Sequence, residues 1–124
     1  MRHTLVDTSV LVEYLKGNKR AVSLISNLLQ SGAILYINPI IFSEVVYVAM
    51  GFLSGRAPMI LSDYAFIEIT RESITIAKRL IEEYAMLPND ALILATCIEH
   101  GFALATLDED FFEPAKKERV ERIS

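Results

Sequence analysis

Apolar positions along this chain alternate between two spacings. Residues 4–6, 34–37, 66–69, 103–106 and 120–123 are short runs rich in apolar and β-branched side chains, the pattern of strands. Between them, spacings of three and four predict helices: Leu11, Tyr14 and Leu15; Ala21, Val22, Ile25, Leu28 and Leu29; then Ile74, Ala77, Leu80, Ile81 and Tyr84. Punctuation agrees. Thr8 or Ser9 can cap the first helix, Gly32 stops the second, Thr70 caps a later one, and Gly101 closes a helix over residues 90–100. Asn38-Pro39 reads as an N-cap with proline at the first helical position, so residues 40–50 are expected to be helical although their β-branched content favours a strand. Residues 51–58 carry two glycines and a proline and are expected to turn.

Strands alternating with helices of this length predict an α/β protein, a three-layer α/β/α arrangement around a central parallel sheet of about five short strands. With 124 residues and 52% hydrophobic content, one domain over residues 1–124 can build a core without disulfides. The longest apolar run, residues 45–53, is too short to cross a bilayer, and the start Met1-Arg2-His3 leads straight into a strand, so neither a membrane span nor a signal peptide is expected. Cys97 is the sole cysteine and falls at an apolar helical position. A buried free thiol and a reducing, cytoplasmic setting follow.

Four carboxylates stand at the ends of apolar segments: Asp7 after the first strand, Glu44 within 40–50, Asp90 at a helix start and Asp108 after the fourth strand. In a parallel sheet the carboxyl ends of strands converge on one crevice, which suggests a divalent metal site. Helix capping also accounts for Asp7 or Asp90 taken singly, and a solvated turn accounts for Asp108 and Asp110. Glu44 fits neither account. It falls more than a turn into its helix among residues expected to be buried, where a carboxylate needs a partner or a cation. Oxygen-only ligands suit Mg²⁺ or Mn²⁺. Zinc is disfavoured, because His3 and His100 have no metal-ligand spacing to a second histidine or cysteine. Ser9 and Ser43 lack a histidine base, so their expected roles are capping and holding water.

The ordered set Val6-Asp7-Thr8-Ser9-Val10-Leu11, Pro39 through Ser43-Glu44-Val45, Pro88-Asn89-Asp90-Ala91-Leu92-Ile93-Leu94-Ala95 and Ala105-Thr106-Leu107-Asp108-Glu109-Asp110-Phe111 resembles a PIN domain over nearly the whole chain. More narrowly, it is similar to the small VapC-type toxins of toxin–antitoxin pairs. The resemblance implies that Asp7, Glu44, Asp90 and Asp108 surround one or two Mg²⁺ or Mn²⁺ ions, with Asp110 as a further acid. Ser9 and Thr106 match the family's hydroxyl positions at the cofactor site. It also implies endonucleolytic hydrolysis of RNA, usually in single-stranded regions, and a cognate antitoxin. Alternatively, the chain is a catalytically silent module that binds RNA or protein.

Two other parallel α/β families fit less well. A receiver-type phosphoacceptor domain needs an aspartate after its third strand, where this chain has Ile69-Thr70-Arg71. A haloacid-dehalogenase-type phosphatase needs Asp-x-Asp after the first strand, and here the sequence is Asp7-Thr8-Ser9.

Sixteen acids against twelve bases give a net charge of −4, which argues against nonspecific coating of nucleic acid. It leaves open a nucleic-acid enzyme whose acids hold cations. Lys16, Lys19 and Arg20, and then Lys116, Lys117, Arg119 and Arg122, form two basic groups, each a solvated face or a phosphate contact. Finally, Val45, Val46, Tyr47, Val48, Met50, Phe52 and Leu53 exceed what one helix face can bury, so a homodimer is expected.

Overall fold

The computed structural model describes residues 2–49 and 61–124. Five strands, β1 (His3–Val6), β2 (Ile34–Ile37), β3 (Ala65–Phe66), β4 (Ala103–Ala105) and β5 (Arg122–Ile123), form one parallel sheet in the order β3-β2-β1-β4-β5. Among the described residues six helices flank it: α1 (Thr8–Leu15), α2 (Lys19–Gln30), α3 (Pro39–Ala49), α4 (Arg71–Tyr84), α5 (Pro88–His100) and α6 (Phe112–Lys117). This is the expected three-layer α/β/α fold. The residues expected to turn, 51–58, and the end of the apolar run from Met50 to Leu53 lie outside the described residues.

Strand order fixes where chemistry can occur. From β1 the chain steps outward to β2 and β3, then returns to lay β4 on the other side of β1. With right-handed crossovers this reversal puts α1 to α3 on one face and α4 to α6 on the other. The contacts agree: α1 packs on α2 and α3, while α4 packs on α5. The crevice at the carboxyl ends of β1 and β4 is therefore the topological switch point, where open α/β sheets bind ligands.

Most elements follow from sequence pattern, with corrections at their edges. Asn38 does cap α3: its side-chain oxygen accepts from the Ile41 amide at 2.9 Å, and its amide donates to the Thr96 hydroxyl at 3.0 Å, pinning α3 to α5. Thr70 caps α4 in a reciprocal capping box with Ser73, and both hydroxyls also donate to the Glu99 carboxylate of α5. Leu24 replaces Val22 and Leu29 in the buried stripe of α2, and Ser73 replaces Ile74 in that of α4. Val22, Leu29 and Ile74 lie about 100° round the helix from the stripe centre, where the 3.6-residue period turns a side chain to solvent. The expected third strand, 66–69, shrinks to Ala65–Phe66 at the sheet edge.

The core is continuous. Leu5, Val6, Val10, Leu11, Ile93, Leu94, Leu104 and Phe111 are fully or almost fully buried. α5 buries Ala91, Ile93, Leu94, Ala95, Thr96 and Cys97, more than one helix face, because it is packed against both α4 and the sheet. Cys97 is buried as expected, and burial pushes its thiol well above the usual range, which leaves it inert.

Candidate active site

Asp7 follows the last residue of β1, and its backbone amide donates to the Ala105 carbonyl at 2.9 Å, extending the β1–β4 ladder by one step. That registers Asp7 beside Thr106. Asp7 occupies the N-cap position of α1 but makes no side-chain capping bond, which corrects the capping roles expected of Asp7, Thr8 and Ser9. Instead its Oδ2 receives the Ser9 hydroxyl and the Thr106 hydroxyl, both at 2.8 Å. Each hydroxyl also accepts a backbone amide, Ser9 from Leu107 and Thr106 from Asp108, both at 3.0 Å. The two hydroxyls thus fasten the loop that carries Asp108 to the carboxylate of Asp7. Burial raises the Asp7 pKa, and the two hydroxyls and the nearby amides of Thr8 and Ser9 oppose that rise.

The loop after β4 continues into a single 3-10 turn, Glu109–Phe111, whose Phe111 is fully buried and anchors it. Asp108 Oδ1 accepts the Asp110 amide at 2.9 Å. The solvated-turn account of Asp108 is right about this bond and incomplete about the rest. Across the crevice, Pro88 opens α5 and Asp90 sits in its first turn, one step beyond Asn89; the N-cap is Leu87, so Asp90 does not cap the helix.

Asp90, Asp108 and Asp110 each offer an oxygen, and these oxygens lie within 4.8 Å of one another. The Asp90 pKa is pushed up to about 6, first by burial, then by the charges of Asp108, Asp7, Glu44 and Asp110 in that order. Every acid singled out in the sequence therefore acts on one carboxylate. Such a group of like charges is relieved by a proton or by a cation. The all-oxygen donor set fits a hard divalent cation. A zinc set is not assembled among the described residues: His3 opens β1 and His100 ends α5, and both flank the Phe102 ring at the amino-terminal end of the strands, away from the acids.

Glu44 is half-buried rather than enclosed. Its Oε1 accepts the Thr8 hydroxyl at 2.6 Å and its Oε2 accepts the Asn89 side-chain amide at 3.3 Å. Sequence reasoning missed both partners. Their only signal is adjacency, since Thr8 follows Asp7 and Asn89 precedes Asp90. Beside the acids, Tyr84, Ala85, Met86, Leu87, Asp90, Asp110 and Pro114 line a cleft of about 270 Å³.

The sequence matches the family model for the PIN domain over residues 4–117. The chain belongs to the PIN domain family. Two curated relatives of this PIN domain, both from Methanocaldococcus jannaschii, are Ribonuclease VapC2 and Ribonuclease VapC6. The first is 27% identical, covering 85% of this chain and 84% of that one. The second is 29% identical, covering 88% and 90%. Among solved structures, a toxin–antitoxin complex from Klebsiella pneumoniae contains a chain that aligns with a TM-score of 0.77 and 28% identity, over 89% of this PIN domain and 91% of that chain.

The basic residues of this PIN domain separate from one another. Lys116 and Lys117 line a cleft of about 790 Å³ with Phe112, Glu113, Val120 and Arg122. Arg122 lies over the Phe112 ring at 3.6 Å, and Lys117 pairs with Glu113 at 3.0 Å. Arg119 instead lines a different cleft with Arg2 and His3. Lys16, Lys19 and Arg20 follow α1, whose eight residues lead about 12 Å away from Asp7. Among the described residues no helix is long and apolar enough to cross a membrane.

Proposed function

We propose that residues 1–124 form one nuclease domain, an Mg²⁺- or Mn²⁺-dependent endoribonuclease that hydrolyses RNA phosphodiester bonds, and that it is the toxin of a type II toxin–antitoxin pair. The observation that carries this reading is the meeting of five acids at the switch point, with the charges of the other four acting on Asp90. Membership of the PIN domain family, relatives named as ribonucleases and a structural neighbour from a toxin–antitoxin complex support it.

Asp90, Asp108 and Asp110 would hold the cation, with Asp7 as a further ligand and Glu44 nearby. The cation, when bound, supplies Lewis acidity towards the phosphate and lowers the pKa of water beside it. The protein's own groups mainly position. Ser9 and Thr106 hold Asp7 and the Asp108 loop in register through their paired hydrogen bonds. Asp110 and Asp90 line the cleft in which an RNA phosphate would lie. The substrate would be a single-stranded region, whose backbone can bend into so small a cleft.

The partners in this reading are RNA, an antitoxin and a second copy of the chain, and the compartment is the cytoplasm. Exposed apolar side chains Phe42, Tyr47, Val48 and Phe66 support a protein partner on the α3 side of the sheet. To test the activity, unstructured and structured RNA are incubated with the protein in EDTA, Mg²⁺ or Mn²⁺. Cleavage should require the cation, and Asp7→Asn and Asp90→Asn should reduce it by orders of magnitude. Equal cleavage in EDTA would exclude the metal mechanism. RNA binding without cleavage in either cation would identify a catalytically silent module.

A further inference from the structure

Of the acids at this site, Glu44 alone has a neutral side-chain donor on each carboxylate oxygen. Thr8, the first residue of α1, donates to Oε1 at 2.6 Å, and Asn89, the second residue of α5, donates to Oε2 at 3.3 Å. Asp90, Asp108 and Asp110 differ: their oxygens converge within 4.8 Å of one another, a group that includes neither Glu44 nor Asp7. Among the described residues Asp7 leaves its Oδ1 without a side-chain donor, whereas both oxygens of Glu44 have one. Two donors approaching from different helices fix both the position and the plane of a carboxylate, and each oxygen keeps one acceptor direction free for water. Swinging Glu44 onto the ion would break at least one of these bonds. Glu44 lies in the second turn of α3, Asp7 at the N-cap of α1 and Asp90 in the first turn of α5, so the brace ties α3 to both flanking acids through the neighbours of Asp7 and Asp90.

We propose that Thr8 and Asn89 are positioning residues that hold Glu44 off the cation and commit it to ordering water in the cleft. The inference rests on the nuclease reading, and it assigns Glu44 a place outside the ligand set that Asp90, Asp108 and Asp110 form. It makes Thr8 and Asn89 determinants of turnover although neither need touch RNA or metal.

The test separates metal affinity from catalysis. Mn²⁺ is titrated by calorimetry, without RNA, into the wild-type protein and into Asp90→Asn, Glu44→Gln, Thr8→Val, Thr8→Ser and Asn89→Ala, and kcat, KM and melting temperature are measured for each. Thr8→Val keeps the shape and removes the donor; Thr8→Ser keeps the donor. Expected is a loss of Mn²⁺ affinity of at least about 100-fold in Asp90→Asn but no more than about tenfold in Glu44→Gln. Thr8→Val should lower kcat by about 10- to 100-fold with KM and melting temperature near wild type, Thr8→Ser should recover to within about threefold, and Asn89→Ala should fall between them. A Glu44→Gln protein that loses Mn²⁺ as severely as Asp90→Asn would overturn the proposal, as would a Thr8→Val protein with wild-type kcat. If the wild-type protein binds Mn²⁺ and cleaves no RNA, the nuclease reading fails, and the calorimetric comparison of Glu44→Gln with Asp90→Asn still decides whether Glu44 is a ligand.

Discussion

Thr106 and Asp7 lie 99 residues apart and are joined by a 2.8 Å hydrogen bond that is fully enclosed by the core. The same Thr106 oxygen accepts the Asp108 amide, so one hydroxyl sets the spacing between two acids. Thr106→Val should therefore reduce RNA cleavage by about 10- to 100-fold, the usual effect of losing an orienting group behind a metal ligand. The check is kcat/KM at saturating Mn²⁺ together with a melting curve, because a loss of activity through unfolding would lower both.

The metal-free protein should be more stable in mild acid than at neutrality. Asp90 has a folded pKa of about 6 against an ordinary 3.8, and Asp7 is shifted in the same direction. A raised carboxyl pKa means that the folded state binds the proton more tightly than the unfolded one. That contribution is complete below the ordinary pKa, and it is lost as pH rises through about 6. In EDTA the melting temperature should fall between about pH 4.5 and about pH 7, and Mg²⁺ should restore it at the upper end. A flat profile in EDTA would show that the acids do not repel one another as their placement requires.

RNA should follow the basic cleft formed by Lys116, Lys117 and Arg122, without Arg119, the fourth member of that basic group in the sequence, which lines a different cleft. Replacing these three with Gln should weaken binding in Mg²⁺ and reduce the slope of log affinity against log salt by about 2, given roughly 0.7 per phosphate contact on a single strand. Arg119→Gln should leave the slope unchanged. Electrophoretic mobility shifts over a salt series would decide it.

Tyr47 is 82% exposed on α3, where Val48 and Phe42 are also exposed, and Phe42 meets the edge-strand Phe66 edge-to-face at 6.5 Å. A second copy covering this surface should give about twice the 13.9 kDa chain mass by light scattering at micromolar concentration. Tyr47→Arg should then yield monomer without lowering the intrachain melting cooperativity. A wild-type monomer would refute the dimer.

Thr4 lies fully buried in β1, and its Oγ1 has no hydrogen-bond partner among the described residues. Thr4→Val removes an unsatisfied group while keeping the branched shape, and should stabilise by about 1 kcal/mol, or roughly 4 °C in melting temperature. Differential scanning calorimetry gives the answer directly.

What could be read in the sequence divides along the range of the interactions. Strand and helix spacing, the Asn38-Pro39 start of α3 and the Gly101 end of α5 are local signals, and the fold repeats them. Asp7, Asp90 and Asp108 were legible because they follow or open regular elements, and Glu44 because it is a charge among residues expected to be buried. Thr8 and Asn89 were not, since a polar residue beside an acid looks the same whether it faces solvent or Glu44. The exposure of Val22, Leu29 and Ile74 depends on where neighbouring elements stop, which periodicity cannot say. The sequence also put Arg119 and Arg122 in one basic group, whereas Arg119 sits in a turn with φ of 59° and lines a different cleft from Arg122, which lies over Phe112.

The position of β4 has a consequence for synthesis. Ribosomes deliver Asp7, Glu44 and Asp90 in that order, but Asp108 joins them only after β4 has slid in beside β1, closing a loop of about a hundred residues. An unfinished chain can therefore form β1, β2 and their helices and still lack the ligand set. On the nuclease reading, cleavage can therefore begin only at the step where folding is all but done. A mutation that slows β1–β4 pairing would delay that step without altering any residue of the site.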